Sequence, residues 1–246
     1  MQAFAAQSKA EGLRLVRSPF FLLFSVLMPI AFYALFTFLN GADTEIGSTS
    51  WAAYSLMSMT AFSLIGTAAG QFGIRLSYER KDGLLKLLRL TPMSTGAWVS
   101  AKLVSHLIIH LLIIVVMFAA AALTFGVEMS AARWLATGLW LLLGSIPFLG
   151  LGILIGTIKS TDVATAVSNL LYMGISVAGG LWMPLETFPA WLKAIGQWLP
   201  SHAYANGAWN MLAGRVIELS DAALLLGYGL GFILLAMLIM NAREAA

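Results

Sequence analysis

Two histidines, His106 and His110, lie four residues apart in an apolar run, a spacing that puts both rings on one face of a helix. Such a pair could give zinc two ligands, but a zinc site needs a third or a fourth. The chain has no cysteine, and no Asp or Glu lies at that depth of the run. We therefore expect neutral histidines, each hydrogen-bonded to a neighbouring hydroxyl or carbonyl group, and no metal site.

Hydrolytic and nucleotide chemistry have equally little support in the sequence. An intramembrane hydrolase needs a nucleophile in a suitable loop with a paired base, and Ser145 and Ser168 lack the G-x-S-x context. The phosphate-binding pattern G-x-x-x-x-G-K-[ST] occurs nowhere in the 246 residues. We therefore predict no enzymatic centre on this chain, so that any ATP hydrolysis would take place on another one.

The segment 78–92 combines both signs of charge in the run Glu79-Arg80-Lys81-Asp82. Beyond it, Leu84, Leu87 and Leu88 share one helical face, and Thr91-Pro92 ends the pattern, which predicts a short amphipathic helix. A positively charged anchor on the membrane would be the simplest use of such a helix. Acidic residues gain nothing beside anionic headgroups, however, so the pattern favours docking to a partner protein.

The elements that must position these residues are six apolar stretches without Asp, Glu, Lys or Arg, in a chain that is 60% hydrophobic. Each has about 19 to 25 residues, enough to cross a hydrocarbon core of about 30 Å as a helix. Strands of a membrane β-barrel are half as long and alternate in polarity. The sequence therefore predicts an all-α integral membrane protein with a single transmembrane domain. The predicted transmembrane helices cover residues 20–39, 51–74, 103–125, 134–158, 163–183 and 222–240.

Lysine and arginine fall mainly on one of the two sets of alternating loops. Eleven of the 14 lie on the set that includes both termini, which predicts cytoplasmic termini. The apolar run that begins at residue 20 is too long for the core of a cleaved signal peptide, so we expect a retained helix. Residues 1–18 are expected to form an interfacial helix, or else a basic tail that only sets orientation.

The second predicted span is the most polar, and the fifth contains an isolated amide. Hydroxyls can hydrogen-bond to their own helix, so such residues can line a pathway or pack at a helix interface. The same choice holds for the small-residue pairs Gly66/Gly70, Gly152/Gly156 and Gly227/Gly231. Our candidate pathway residues are Ser63, Thr67, Gln71 and Asn169.

The tract 184–214 is rich in proline and tryptophan and lies on the predicted outer side. We expect an outer hairpin of short helices that re-enters the outer leaflet. It would act either as an outer gate over a pathway or as a packed cap anchored by aromatic side chains. The candidate gate residues are Pro184, Glu186, Trp191 and Trp198.

With these motifs in this order, the chain resembles the membrane permease of type 2 ATP-binding cassette (ABC) exporters over nearly its whole length. Arg14, Arg17-Ser18-Pro19 and Pro29 look like the basic connecting helix that leads into the first span of that family. The residues similar to its cytoplasmic coupling loop are Glu79-Arg80, Gly83-Leu84, Leu87 and Thr91-Pro92. The run 183–191 with Leu199-Pro200 resembles its outer hairpin. Lys86 departs from the pattern, since relatives often have an acidic residue there.

The resemblance implies a pathway-forming subunit in the bacterial cytoplasmic membrane, driven by two copies of a separate ABC ATPase that bind Mg-ATP. A second permease chain, identical or homologous, would complete the dimer, with membrane lipid as a further partner and no nucleic acid. The implied cargo is an amphipathic or apolar drug, antibiotic, lipid or glycan. The residues expected to couple to the ATPase are Glu79, Arg80, Lys81, Asp82, Gly83, Leu84 and Leu87.

A secondary transporter or channel that is not coupled to ATP is the alternative. Such proteins usually have a charged site or a broken helix near the middle of the membrane. The predicted spans contain no charge, and only Pro29 and Pro147 could break a helix there. The composition therefore favours the exporter.

Overall fold

A computed structural model describes residues 19–84 and 95–244. The predicted interfacial helix 1–18 and the part of the coupling region that includes Leu87 lie outside these residues. The described chain is almost entirely helical. Its helices are α1 Pro19–Asn40, α2 Trp51–Ile65, a π-helix Gly66–Phe72, α3 Gly73–Lys81, α4 Thr95–Thr124, α5 Ala131–Gly144, α6 Ile146–Ile155, α7 Thr161–Ala178, a 3-10 helix Leu185–Thr187, α8 Ala190–Gly196, α9 Pro200–Leu212 and α10 Leu219–Glu244.

Short polar residues at the loop ends start several of these helices. The side chains of Ser50, Ser130 and Ser160 each accept a hydrogen bond from a backbone N–H in the first turn of the helix that follows. A small hairpin precedes α2, in which strands β1 Glu45–Ile46 and β2 Thr49–Ser50 pair antiparallel. This hairpin was not predicted, because two-residue strands leave no periodic pattern in the sequence.

The helix α2 is the centre of the bundle, since nearly all of its residues are buried. It packs against α1, α4 and α9, while the π-helix that continues it packs against α6 and α7. By contrast α10 leaves many large apolar side chains exposed, including Leu226, Leu230 and Leu238. A polytopic membrane protein has this arrangement, in which the outward faces of the helices meet lipid.

Four helices among the described residues are long and apolar enough to cross a membrane: Trp51–Lys81, Gly96–Thr124, Ala131–Ile155 and Leu219–Ala242. The first joins α2, the π-helix and α3, and the third joins α5 and α6. A shorter apolar helix covers Ser25–Asn40. The chain is therefore an all-α membrane protein with several apolar helices.

One predicted element differs from the structure. We expected a helix over 78–92, but residues 78–81 are the last turn of α3, and the chain then turns at Asp82 and Gly83. Gly83 has φ +76°, a conformation that side chains with a Cβ disfavour, so α3 ends here. The charged run thus belongs to the end of a transmembrane helix rather than to a separate surface helix.

Candidate functional site

A buried ion-pair cluster, Arg75, Glu79 and Lys102, lies at the inner end of α3. The Lys102 Nζ atom is 2.9 Å from Oε1 and 2.8 Å from Oε2 of Glu79. Arg75 Nε donates to Oε1 of the same carboxylate at 3.2 Å, one helical turn away. The side chains of Lys102 and Glu79 are only 2% and 6% exposed, so these charges interact in a region of low dielectric.

The cluster joins α3 to α4, and further contacts tie α3 to the loop after α6. The Lys102 Nζ atom lies 4.9 Å from the centre of the Trp98 ring, one turn earlier in α4. Ser77 Oγ donates to the carbonyl of Ile158 at 2.9 Å, and Arg80 donates to the carbonyl of Gly156 at 3.4 Å. The end of α3 is therefore attached to two neighbouring elements.

The candidate coupling residues consequently fall into two groups. Glu79 is directed into the protein, and Arg80 is half-buried against the Gly156 carbonyl. Lys81 and Asp82 are exposed, while Gly83 and Leu84 are half-buried. The sequence alone did not reveal Lys102 as the partner of Glu79, because 23 residues separate them; its one signal was an isolated charge at the entrance to an apolar run.

A polar network crosses the middle of the bundle and contains two of the candidate pathway residues. His110 lies 3.0 Å from Thr67 Oγ1 through Nε2 and 2.8 Å from Ser145 Oγ through Nδ1. Thr67 belongs to the π-helix, and Ser145 lies at the break between α5 and α6. His106 Nδ1 is 3.2 Å from the carbonyl of Lys102, and its ring lies 4.5 Å from that of Phe72. These contacts confirm the expected hydrogen bonding of both histidines.

The other candidate pathway residues are only partly brought together. Ser63 Oγ donates to the carbonyl of Ser25 at 3.2 Å, and Ser25 Oγ donates to Gln71 at 3.1 Å, so α1 joins these two residues of the central helix. Ser63 and Thr67 are buried. Asn169 is exposed on α7 and lies apart from them. Within one chain the four residues do not line a common surface.

On the outer side, a cavity of about 960 Å³ lies between the β1–β2 hairpin, the ends of α1 and α2, and the 182–187 segment. Aromatic side chains form much of its wall. Tyr54 and Trp209 stack with ring centres 4.6 Å apart at 16°, and Phe36 meets Trp182 edge-on at 5.8 Å. We call this space the outer cavity.

The candidate gate residues divide between the outer cavity and the surface. Pro184 and Glu186 line the cavity. Trp191 and Trp198 are each 65% exposed and do not line it. The backbone carbonyl of Trp198 accepts a hydrogen bond from Tyr228 of α10 at 3.3 Å. The structure thus keeps only half of the predicted gate together.

His202 also lines the outer cavity, and its Nδ1 lies 3.0 Å from the carbonyl of Gly179. Since a carbonyl only accepts, this ring nitrogen is the donor. Burial lowers the pKa of His202, while this hydrogen bond and nearby carboxylates act in the opposite direction. The carboxylates that act on it are those of Asp221, Glu186 and Glu218.

Comparison with known proteins agrees with this architecture. The family model of the ABC-2 type transporter matches residues 2–212. The chain is also 39% identical over 246 residues, the full length of both proteins, to a protein of Bacillus subtilis (strain 168) named "Putative transport permease YvfS". A chain of this kind takes part in transport as a multi-pass integral membrane protein. It therefore belongs to the ABC-2 type transporter family, whose members are permeases of ABC transporters.

Proposed function

We propose that this chain is the pathway-forming subunit of an ATP-driven exporter in a bacterial cytoplasmic membrane. Two copies of a separate ATPase bind and hydrolyse Mg-ATP, and two permease chains move an amphipathic or apolar compound by alternating access. Family membership supports a partnership with an ATP-binding subunit. The lack of a phosphate-binding loop in the sequence supports assigning hydrolysis to that partner.

In this proposal six helices cross the membrane, with α1 and α7 added to the four long apolar helices. Helix α1 has an apolar part over Ser25–Asn40, and α7 has 18 residues. Eleven of the 14 Lys and Arg residues fall on one side of such an arrangement, which supports cytoplasmic termini. The tract 184–214 then lies at the outer surface as short helices.

The observation that carries the coupling proposal is the Glu79–Lys102 contact at the end of a long central helix. The helix from Trp51 to Lys81 is continuous, and Glu79 joins its last turn to α4. Lys81 and Asp82, beside this joint, are exposed to the cytoplasm in the proposed orientation. We infer that the ATPase contacts this tip and that its movement shifts α3 and α4 together. Glu79 thus acts as a positioning residue, and the partner-facing residues are its neighbours.

The exposed amide of Asn169 supports the participation of a second permease chain. Asn169 lies eight residues into α7, about 12 Å along the helix at about 1.5 Å per residue, and so near the middle of the span. An amide without a partner costs several kcal/mol in hydrocarbon, roughly 4–8 by transfer to cyclohexane. In the proposed dimer this face of α7 meets the pathway or the second chain instead of lipid.

Transport into inside-out vesicles tests the proposal. The permease is produced alone, with its ATPase, and with an ATPase whose catalytic glutamate is replaced, and uptake of fluorescent amphiphiles is followed after ATP addition. We expect uptake only with the active ATPase. ATP-independent uptake that follows an ion gradient would instead establish the secondary transporter, and rapid equilibration in both directions would establish a channel.

The coupling surface is tested separately with Asp82→Lys, which reverses an exposed charge at the tip. Asp162→Lys, an equally exposed reversal in the first turn of α7, is the matched control. We expect Asp82→Lys to lower ATP-driven uptake or ATPase binding at least tenfold, and the control to change either less than twofold. Equal effects of the two variants would refute the assignment of this surface.

A further inference from the structure

The outer cavity has the size and chemistry of a ligand site. Its volume of about 960 Å³ lies within the range of small-molecule pockets, about 300–1,000 Å³. The cavity combines aromatic walls with polar groups, including the Asn206 amide and the His202 ring. Neither a lipid-facing groove nor a packed cap needs this combination.

The aromatic side chains come from separate parts of the chain. Phe36 ends α1, Tyr54 begins α2, and Trp182 and Trp209 belong to the outer tract. Ring contacts hold them in place: Trp51 lies 5.8 Å from Tyr54, and His202 lies 5.8 Å from Trp209. The Trp209 Nε1 donates to Ser58 Oγ at 3.1 Å, so this ring is anchored from below. Such fixed rings offer π faces and edges to a flat or apolar ligand.

Charge decides which ligand the cavity favours. Glu45 and Glu186 line it, against the exposed Arg215 at the same cavity. Asn206 donates to the Asp221 carboxylate at 2.9 Å, so a further acid lies behind the wall. The predicted outer loops as a whole contain six acidic residues and three basic ones. A focused negative potential beside aromatic faces attracts organic cations through both Coulomb and cation–π interactions.

We propose that the outer cavity binds an amphipathic organic cation, held by the carboxylates of Glu45 and Glu186 and by the surrounding aromatic rings. This inference deepens the proposed function and rests on it, because it makes the cavity the outward-facing station of the cargo. A neutral glycan would also use aromatic walls, but it would gain nothing from the two carboxylates.

Binding to the purified full-length permease in nanodiscs provides the test, with empty nanodiscs to correct for partitioning into lipid. Tetraphenylphosphonium and tetraphenylborate are the probes, since they match in shape and differ in the sign of charge. We expect saturable binding of the cation only. The Glu186→Gln variant should raise its Kd about tenfold, equivalent to about 1.4 kcal/mol, and Glu45→Gln/Glu186→Gln should raise it further. Glu128→Gln removes an exposed outer carboxylate that does not line the cavity, and should leave Kd unchanged.

Three results would overturn the inference: equal binding of the anion, an unchanged Kd in the double variant, or binding of maltotriose with no binding of the cation. The glutamate variants change exposed side chains, so correct folding is checked by an unchanged melting temperature. Failure here combined with ATP-driven uptake in vesicles would leave the exporter assignment standing. Cation binding without ATP-driven uptake would refute the exporter instead.

Discussion

Breaking the Glu79–Lys102 pair should destabilise the permease in a way that a second substitution partly reverses. Removing one partner of a buried ion pair costs about 3–5 kcal/mol, because the other charge stays buried, whereas replacing both is often close to neutral. Glu79 has both carboxylate oxygens within 2.9 Å of Lys102 Nζ, and Lys102 is 2% exposed. This geometry places the pair in the strongly coupled class and not among surface salt bridges.

We therefore expect Glu79→Gln and Lys102→Met each to lower the free energy of unfolding by about 2–4 kcal/mol, slightly below the general figure because Arg75 also contacts the carboxylate. The double variant should lose less than the sum of the two, with a coupling energy of at least about 1.5 kcal/mol. Thermal and denaturant unfolding in detergent, followed by tryptophan fluorescence, measures all four proteins.

Exposed charges supply the controls. Glu128→Gln and Lys159→Met change the same residue types at exposed positions, and each should stay within about 0.5 kcal/mol of the parent. Additive effects of Glu79→Gln and Lys102→Met would refute the reasoning, because independent sites cannot form a stabilising pair. A second consequence concerns function: the double variant, although folded, should show weaker coupling of ATP hydrolysis to transport, since α3 and α4 are no longer joined there.

Further predictions concern close packing, the polar network and the turn after α3. Gly152→Ala would place a Cβ against the carbonyl oxygen of Ala68 and 2.8 Å from Phe72, so we expect a loss of about 1–3 kcal/mol in unfolding experiments, whereas Gly227→Ala, with open space around it, should be neutral or stabilising; equal effects would contradict this packing. A double-mutant cycle of His110→Phe and Thr67→Val should give a coupling energy of about 0.6 kcal/mol and no more than about 1.7 kcal/mol, typical of hydrogen bonds between membrane helices; a value of zero would mean that the two groups do not interact. Gly83→Ala should cost about 1–2 kcal/mol because of its positive φ and should reduce ATP-driven uptake, while Gly96→Ala, at an unhindered glycine with ordinary φ, should do neither; normal uptake by Gly83→Ala would show that this turn does not matter for coupling.

The helices were largely predictable because long apolar runs have few alternatives in a bilayer. Charge distribution and serine or glycine boundaries then place the loops between them. The same rules do not reveal how a helix winds. The seven residues from Gly66 to Phe72 adopt π geometry, although nothing in their composition distinguishes them from an α-helical stretch. The break at Ser145 likewise divides an apolar run that reads as one helix.

The candidate site was less predictable, because its contacts join residues far apart in the chain. The sequence identified Glu79 as a charged residue near a partner surface, but not its inward contact with Lys102. It indicated a hydroxyl or carbonyl partner for His110 without specifying Thr67 and Ser145. Tryptophans at the outer boundary were explained by an aromatic belt, which fits Trp191 and Trp198 but not Trp182 and Trp209 in the cavity wall.

The π-helix in the central span affects how sequences of relatives should be compared. A π turn closes with one residue more than an α turn, so it can accommodate an insertion without forming a loop. Deleting one residue from Gly66–Phe72 would rewind the stretch as α-helix, turning all that follows by about 100° and drawing it back by about 1.5 Å. A one-residue gap in an alignment at this point would therefore signify a rotated helix tip, with Lys81 and Asp82 presented in a different direction to whatever binds beneath the membrane.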